Sequence, residues 1–583
     1  MNKKIEMLDN LTINKIAAGE MIEAPHSVVK ELVENSIDAN ASMITLEIKE
    51  GGKKYIRVTD NGVGISEEYV EQAFMRHSTS KITGVDDLNS IASLGFRGEA
   101  LASIAAVSQV EMITRTANQA HGMMIEVTGG KIETVKKVGC PVGTTVIVKN
   151  LFFNTPARLK FMKSNSAETM KISKTITLLS LSNPGIIFKY INNNEIIFTT
   201  PGDNVLSQTI LSVLDKDTFK NLIFLEEESD MKLWGYISQP NFVRGNRNLQ
   251  IIYVNGRYIK NKLISKAIED AYKEKVIINR YPVCILNLNI DPSETDINVH
   301  PSKTEIKFEK GEQVQEFIYK AIAETLEKDS VIPKLQVTED KYQEEQISDL
   351  IPISPAEIGN PEEIMEDMDA TGDVLINEID ENYTKQSSFL DALSSQYKII
   401  GQIFNTYIIL EKEQSIYLID QHAAHERLLY NRFLKEIEDE NIVSQKLVEA
   451  KVLELSNEDY ILLSDNMDLF IKLGFHMEDF GINAVIIREV PMILGKPQDF
   501  SFIYEILDEM RNDDKITGHF EDTIVKRACK KAIKAKDKLD HHEIKQLVEE
   551  LHTLVPPLTC PHGRPIILTM GQYDIEKHFK RIQ

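Results

Sequence analysis

Cysteine is scarce in this chain. There are four in 583 residues, Cys140, Cys284, Cys529 and Cys560, too few to staple a protein of this size with disulfides. No apolar run approaches the roughly 18 residues that a bilayer-spanning helix needs, so no membrane partner is expected. The opening "MNKKIEMLDN" lacks the apolar stretch of a secretion signal, and the expected address is the cytoplasm. Positive charge is also in deficit, with 66 Lys and Arg against 89 Asp and Glu and a net charge of −23. Taken alone, that balance argues against a nucleic-acid partner, because a phosphate backbone is itself anionic.

The distribution of charge reverses that inference. Residues 337–382 hold fifteen Asp or Glu and one Lys, so this stretch supplies −14 of the total. It also contains "IPISPAEIGNPEE" and no sustained periodicity, which is the composition of an extended, mobile tether. A chain of 583 residues exceeds what one core supports. The division expected is an ATPase-sized α/β domain at 1–204, a second α/β subdomain at 205–332, the acidic linker at 333–390, and a separate α+β domain at 391–583 with an inserted lobe near 456–556. Basic residues cluster in "RGNRNLQIIYVNGRYIKNKLISKA", where Arg244, Arg247, Arg257, Lys260, Lys262 and Lys266 surround a strand and helix pattern. A solvated face and a DNA-binding face fit that stretch equally well.

Near the start, "HSVVKELVENSIDANA" spaces Val28, Val29, Leu32, Val33 and Ile37 for an amphipathic helix. Glu31 and Asn35 are four apart on it. A carboxylate can take a proton from a water attacking a γ-phosphate, and an amide oxygen can hold Mg²⁺. "YIRVTDNGVGI" predicts a strand running into a tight turn at Asp60, Gly62 and Gly64, where the aspartate can accept from an exocyclic amine. In "LGFRGEALASIAAV", Gly95 and Gly98 bracket Phe96 and Arg97 just before an apolar helix, offering backbone N–H groups and a cation to phosphates. "GTTVIVKN" adds a glycine-led strand. Each element alone is commonplace.

In this order they resemble the GHKL group of ATPases, α/β sandwiches that wrap ATP and Mg²⁺ beneath a mobile lid. "KIAAGEMIEAPHSVVKELVENSIDA", "DNGVGI", "HSTSKI", "GFRGEALASIAAV", "LFFNTPARLKF" and "INVHPSKTEIKF" are similar, more specifically, to the signature sequences of the MutL family of DNA mismatch-repair proteins. The resemblance implies Glu31 as general base and Asn35 as Mg²⁺ ligand. It implies Asp60, with Gly62 and Gly64, as the adenine contact, and Lys81, Arg97, Gly98 and Thr145 around the phosphates and lid. Lys303 would reach the γ-phosphate from the second subdomain. Lys260 and Lys262 become candidates for double-stranded DNA. The implied partners are a second copy of the chain and the mismatch-recognition protein MutS, and the implied location is at the nucleoid.

After the linker, "SIYLI" runs into "DQHAAHERLLYN", predicting a strand, an acidic N-cap at Asp420 and a helix on which His422 and Glu426 share a face. Far downstream, "LTCPHGRPIILTM" sets Cys560 and His562 two apart in a turn, a spacing that lets one loop offer sulfur and nitrogen to one ion. Cys529 alone reads as a small apolar filler. The three phrases resemble the endonuclease-type C-terminal domain of those family members that nick DNA themselves. That resemblance implies Asp420, His422, Glu426, Cys529, Cys560 and His562 as ligands or close neighbours of Zn²⁺ or Mn²⁺, with Asp420 and Glu426 in the chemistry.

One position departs from the pattern. The helix motif of the family ends in Glu where this chain has Asn431, five residues past Glu426 and roughly 140° further round the helix. A structural metal site in a nuclease-inactive, ATP-driven matchmaker therefore stands as the alternative. His425, His541 and His542 read as solvated histidines. A short Gln-containing peptide before "VP" docks related proteins on the replication sliding clamp, but "VIIREVPMIL" has Ile486 at the Gln position, so clamp binding has no motif behind it.

Overall fold

The computed structural model describes residues 21–76, 78, 98–273, 275–276, 280–296, 306–329, 397–439, 442–493, 496–498, 500–512, 539–552, 554, 558–560, 564–579 and 581. Lys81, Arg97, Lys303, Cys529, His562 and the acidic stretch 333–390 lie outside them. The chain divides into two compact units, one formed by Met1–Asp329 with Asp439–Phe520, the other by Ser330–Glu438 with Glu521–Gln583.

The first unit is built on an eight-stranded mixed sheet. Its strands are β1 (Met43–Lys49), β2 (Tyr55–Asp60), β3 (Gln109–Arg115), β4 (Gly122–Thr128), β5 (Lys131–Val138), β6 (Gly143–Lys149), β7 (Ile187–Asn192) and β8 (Glu195–Thr199). They lie in the order β5-β4-β3-β6-β2-β1-β7-β8. Only the β1–β7 pair is parallel; β2 pairs antiparallel with both β1 and β6. Strands of period two bury alternate residues, as in β3, where Val110, Met112 and Thr114 point inward.

The Pro25–Asp38 helix has proline at its first turn, where the missing N–H costs nothing. It buries Val28, Val29, Leu32 and Val33 against the sheet, in one core with Ile172 and Ile176 of the Asn165–Ser182 helix. A second sheet, Arg257–Ile259, Gln250–Val254, Cys284–Asn289, Lys232–Ser238 and Leu222–Glu228 in that order, has its own core with the Lys262–Tyr272 and Gly311–Asp329 helices. Tyr253 joins the two layers: its ring lies in the first core and its hydroxyl donates to the Leu178 carbonyl at 2.7 Å.

Residues 439–520 form a small lobe of three strands, Ser444–Glu454, His476–Asp479 and Ala484–Ile493, with helices at Asn457–Asp465 and Ser501–Asn512. The sequence division places this stretch within 391–583, whereas in the structure it belongs to the same unit as residues 1–329. Its polar groups explain the attachment. Ser173 donates to Asn457 Oδ1 at 2.7 Å, and the Arg244 guanidinium lies 4.1 Å from the Tyr504 ring centre.

In the second unit, strands Lys398–Ile403, Tyr407–Lys412, Ser415–Asp420 and Ile567–Gly571 make an antiparallel sheet in chain order. Ile408, Leu410 and Ile419 from it pack with Ala423 and Ala424 of the Gln421–Glu438 helix and with Ile544, Leu547, Val548 and Leu551 of the His541–Leu551 helix. The latter opens on a capping box between Asp540 and Glu543, and it lies in this unit although the expected inserted lobe had included it.

Candidate functional site

Two sites emerge, one in each unit. In the first, the predicted helix places Glu31 and Asn35 on a half-buried face, one turn apart, opposite the residues that enter the core. β2 ends at Asp60, as the strand-into-turn pattern predicts. The Asp60 carboxylate accepts from three directions: Ser36 Oγ at 2.8 Å, the Gly62 N–H at 2.9 Å and the Thr144 N–H at 3.2 Å. Burial pushes this carboxyl above the usual aspartate range, and the bonds from Gly62, Ser36 and Thr144 pull it part of the way back.

The glycines of the turn are there for space and conformation. Gly64 has φ 73°, and a Cβ on it would collide with the Arg115 carbonyl. Gly98 has φ 62° and lies so close to the Ser78 carbonyl that a Cβ would come within 2.6 Å of that oxygen. Thr145, on β6, donates to Thr59 Oγ1 at 3.2 Å across the strand pair. Helix, turn and β6 are thus tied to each other through one buried carboxylate.

Two of the three Asp60 donors, Ser36 and Thr144, escaped sequence reasoning. The signal for Ser36 was available: it is a polar residue four positions after Leu32 on the buried face of an apolar helix, and buried hydroxyls need partners. Thr144 contributes only its backbone N–H, which any residue carries, so its side-chain type holds no signal.

The basic stretch is less uniform than its composition implies. Arg244 is only 6% exposed, donates to Thr218 Oγ1 at 3.0 Å and lies over both Phe242 and Tyr504, so it is not part of a solvated face. Arg247 is paired with Glu269 through two bonds at 2.6 and 2.9 Å. Lys260, Lys262 and Lys266 are exposed. Lys260 and Lys262 flank Asn261, which caps the following helix by accepting from the Leu263 and Ile264 N–H groups at 2.8 and 3.2 Å.

In the second unit the strand, acidic cap and helix form as predicted. Asp420 Oδ1 accepts from the His422 and Ala423 N–H groups at 2.9 and 3.0 Å. His422 Nε2 lies 3.3 Å from Glu426 Oε1, and Glu426 is only 6% exposed. The other ring nitrogen of His422 is buried with no hydrogen-bond partner, an arrangement that costs free energy unless a further group engages it. His425 departs from the solvated reading: it is half-buried, its Nδ1 lies 3.0 Å from the Gln421 carbonyl, and burial lowers its pKa. His541 and His542 are exposed, as expected.

The backbone brings the distant cysteine to this helix start. The Asp420 N–H donates to the Ile566 carbonyl, the Ile566 N–H to the Leu558 carbonyl, and the Cys560 N–H to the Arg564 carbonyl at 2.8 Å. Residues 560–564 are therefore closed into a tight loop on the strand beside Asp420, and buried Cys560 shares a core with Ala423 and Ala424. Nitrogen, oxygen and sulfur donors from segments far apart in sequence suit a zinc-like ion. Among the described residues no three metal-capable side chains cluster; Cys529 and His562 lie outside them.

Residues 22–141 match the family described as Histidine kinase-, DNA gyrase B-, and HSP90-like ATPase. Residues 210–327 match the family described as DNA mismatch repair protein, C-terminal domain, and residues 400–539 the MutL C terminal dimerisation domain. The chain is 43% identical to the DNA mismatch repair protein MutL of Caldanaerobacter subterraneus subsp. tengcongensis, with 100% of both chains covered. It is 40% identical to the protein so named from Clostridium tetani, again with 100% of both covered. It is also similar to the Aquifex aeolicus MutL ATPase domain complexed with ADP, at 28% identity over 51% of this chain and 97% of that one, with a TM-score of 0.38.

Proposed function

The chain belongs to the MutL family of DNA mismatch repair proteins, with an ATPase domain and a C-terminal dimerisation domain, and from that premise we propose that it works as an ATP-driven homodimeric clamp that couples mismatch recognition by MutS to strand incision. The observation that carries the nucleotide half is the buried Asp60 carboxylate, held by Ser36 of the helix that also bears Glu31 and Asn35. A carboxylate with two free lone-pair directions, at the mouth of a glycine turn, suits an adenine amine.

In this reading Asn35 holds Mg²⁺ and Glu31 takes the proton of the attacking water. Gly98 and Thr145, with Lys81 and Arg97, surround the phosphates. Lys303 contacts the γ-phosphate from the second subdomain, so ATP and ADP favour different arrangements of the two subdomains. Lys260 and Lys262 face the DNA backbone. Exposed apolar residues on the C-terminal sheet, Ile400 and Leu568 among them, support pairing of two copies.

The metal half rests on His422, Glu426 and Cys560, completed by Asp420, Cys529 and His562, holding Zn²⁺ or Mn²⁺. When bound, the ion supplies Lewis-acid charge to a phosphodiester; the protein's part is to hold His422 in one orientation through Glu426 and to fix the helix start through Asp420. Asn431, where the family motif has Glu, favours the second reading, a matchmaker that recruits another nuclease and keeps its metal for stability.

Two measurements test these assignments. Glu31→Ala should retain ATP binding and lose about a thousandfold in hydrolysis; equal loss of both would remove Glu31 from the role of base. In a Mn²⁺-dependent assay on supercoiled plasmid, the parent chain should nick and Asp420→Asn should not. A parent that nicks no better than that variant establishes the matchmaker.

A further inference from the structure

The lobe at 439–520 meets the body of the first unit through charge rather than oil. Neither apolar core of that body includes a described residue of the lobe, although the lobe buries Phe470, Phe475 and Phe502 within itself. The contacts across the junction are acidic groups on the lobe against basic or N–H groups on the body. Glu505 Oε1 lies 2.9 Å from Arg280 Nη2. Asp508 accepts from the Gly245 N–H at 2.7 Å and from Asn246 Nδ2 at 3.1 Å. Glu454 pairs with Lys216 at 2.6 Å, and Asp465 accepts from Ser166 at 3.1 Å.

Glu458 sits in the field of Lys174, whose ammonium is destabilised first by burial and then by the nearby charges of Lys260 and Arg511, with Glu458 opposing. Lys260 thus adjoins the basic ground on which the lobe rests. Lys174, Lys216, Arg244 and Arg280 all lie under or against the lobe, Arg244 roofed by Tyr504.

We propose that the 439–520 lobe is an autoinhibitory cover: its acidic edge occupies the basic face of the N-terminal body continuous with Lys260, so that lobe docking and the binding of double-stranded DNA exclude each other. This rests on the reading of Lys260 and Lys262 as DNA contacts. The physical case is the character of the junction. Partly exposed ion pairs such as Lys216–Glu454 stabilise little and are screened by salt, and a polar junction between compact parts opens more readily than an apolar one. A DNA duplex presents a far denser row of negative charge than the handful of carboxylates on the lobe, and displaces them by mass action. Lobe release would therefore follow DNA engagement, and free protein would keep its basic face covered.

The test is a reversible lock in the full chain. Ser166→Cys with Asp465→Cys places two thiols where the native oxygens are 3.1 Å apart, and each single variant serves as control for the native cysteines. Binding is read as fluorescence anisotropy of a labelled DNA duplex at roughly 50 mM salt. The oxidised double variant should bind about tenfold more weakly than the same protein after reduction, while Glu505→Gln should bind severalfold more tightly than the parent. Equal binding by the oxidised and reduced forms overturns the proposal, as does failure of the pair to crosslink on oxidation. Lys260→Glu with Lys262→Glu separates the two layers of inference. If that variant binds like the parent, the DNA assignment itself is wrong and the cover falls with it. If it loses binding while the lock has no effect, only the cover is refuted.

Discussion

The nucleotide site and the metal site are assembled on opposite principles. The described core of the first comes from one short stretch of chain: Glu31, Asn35 and Ser36 from a single helix and Asp60 from the strand two elements later, closed by one 2.8 Å bond. The second draws His422 and Glu426 from one helix and Cys560 from a loop more than a hundred residues away, brought in by the antiparallel register of the Ser415–Asp420 and Ile567–Gly571 strands. A site of the first kind depends on its own side chains. A site of the second kind depends on the whole core that holds the segments together.

That contrast is open to direct attack. The largest effect expected is from Leu547→Ala, a residue 3% exposed in the C-terminal core and no metal donor. It should lower the stability of the second unit by about 3 kcal/mol and weaken Zn²⁺ binding with it, leaving ATP binding unchanged. Thermal melting that resolves the two units, with zinc titration and nucleotide titration in parallel, checks it; unchanged zinc affinity would show that the metal site is local after all.

Asp60→Asn should do the reverse, weakening ATP by about thirtyfold, or ~2 kcal/mol for a charged hydrogen bond, while stability at pH 7 stays within about 1 kcal/mol of the parent. The reason is that the carboxylate is held buried at a cost. Its folded pKa is raised, so between the ordinary aspartate value and the raised one the folded protein binds more protons than the unfolded chain. In that window the Asp60 contribution to stability grows as pH falls, whereas ATP affinity, which needs the carboxylate, declines. Nucleotide titrations on acidification should show the loss at higher pH than an unperturbed aspartate would give. Ser36→Ala, the smallest change, should cost about fivefold in ATP affinity, close to one ordinary hydrogen bond.

The same difference in assembly governed what could be read beforehand. The Pro25–Asp38 helix and the Asp60 turn were legible because helical spacing, proline at the first turn and glycines at positive φ are local signals. So was the Asp420 cap, since a carboxylate before a helix meets N–H groups two and three residues on. Arg244 was misread as surface because composition does not reveal that Phe242, Thr218 and Tyr504 enclose it. His425 was misread because nothing local says which turn of its helix meets the core. The attachment of residues 439–520 to the body was invisible, since it rests on single polar contacts such as Ser173 with Asn457 that leave no periodic trace.

Sequence alone determined where the helices and strands begin, the family to which the chain belongs, and the identity of the nucleotide-facing residues, because those depend on spacing within a few turns of backbone. Tertiary structure alone decided that Ser36 steadies Asp60, that the Cys560 loop lies beside the Asp420 helix start, and that an acidic lobe covers basic ground on the N-terminal body. Each of these joins groups whose separation along the chain carries no period, and only a packed core converts such a separation into contact.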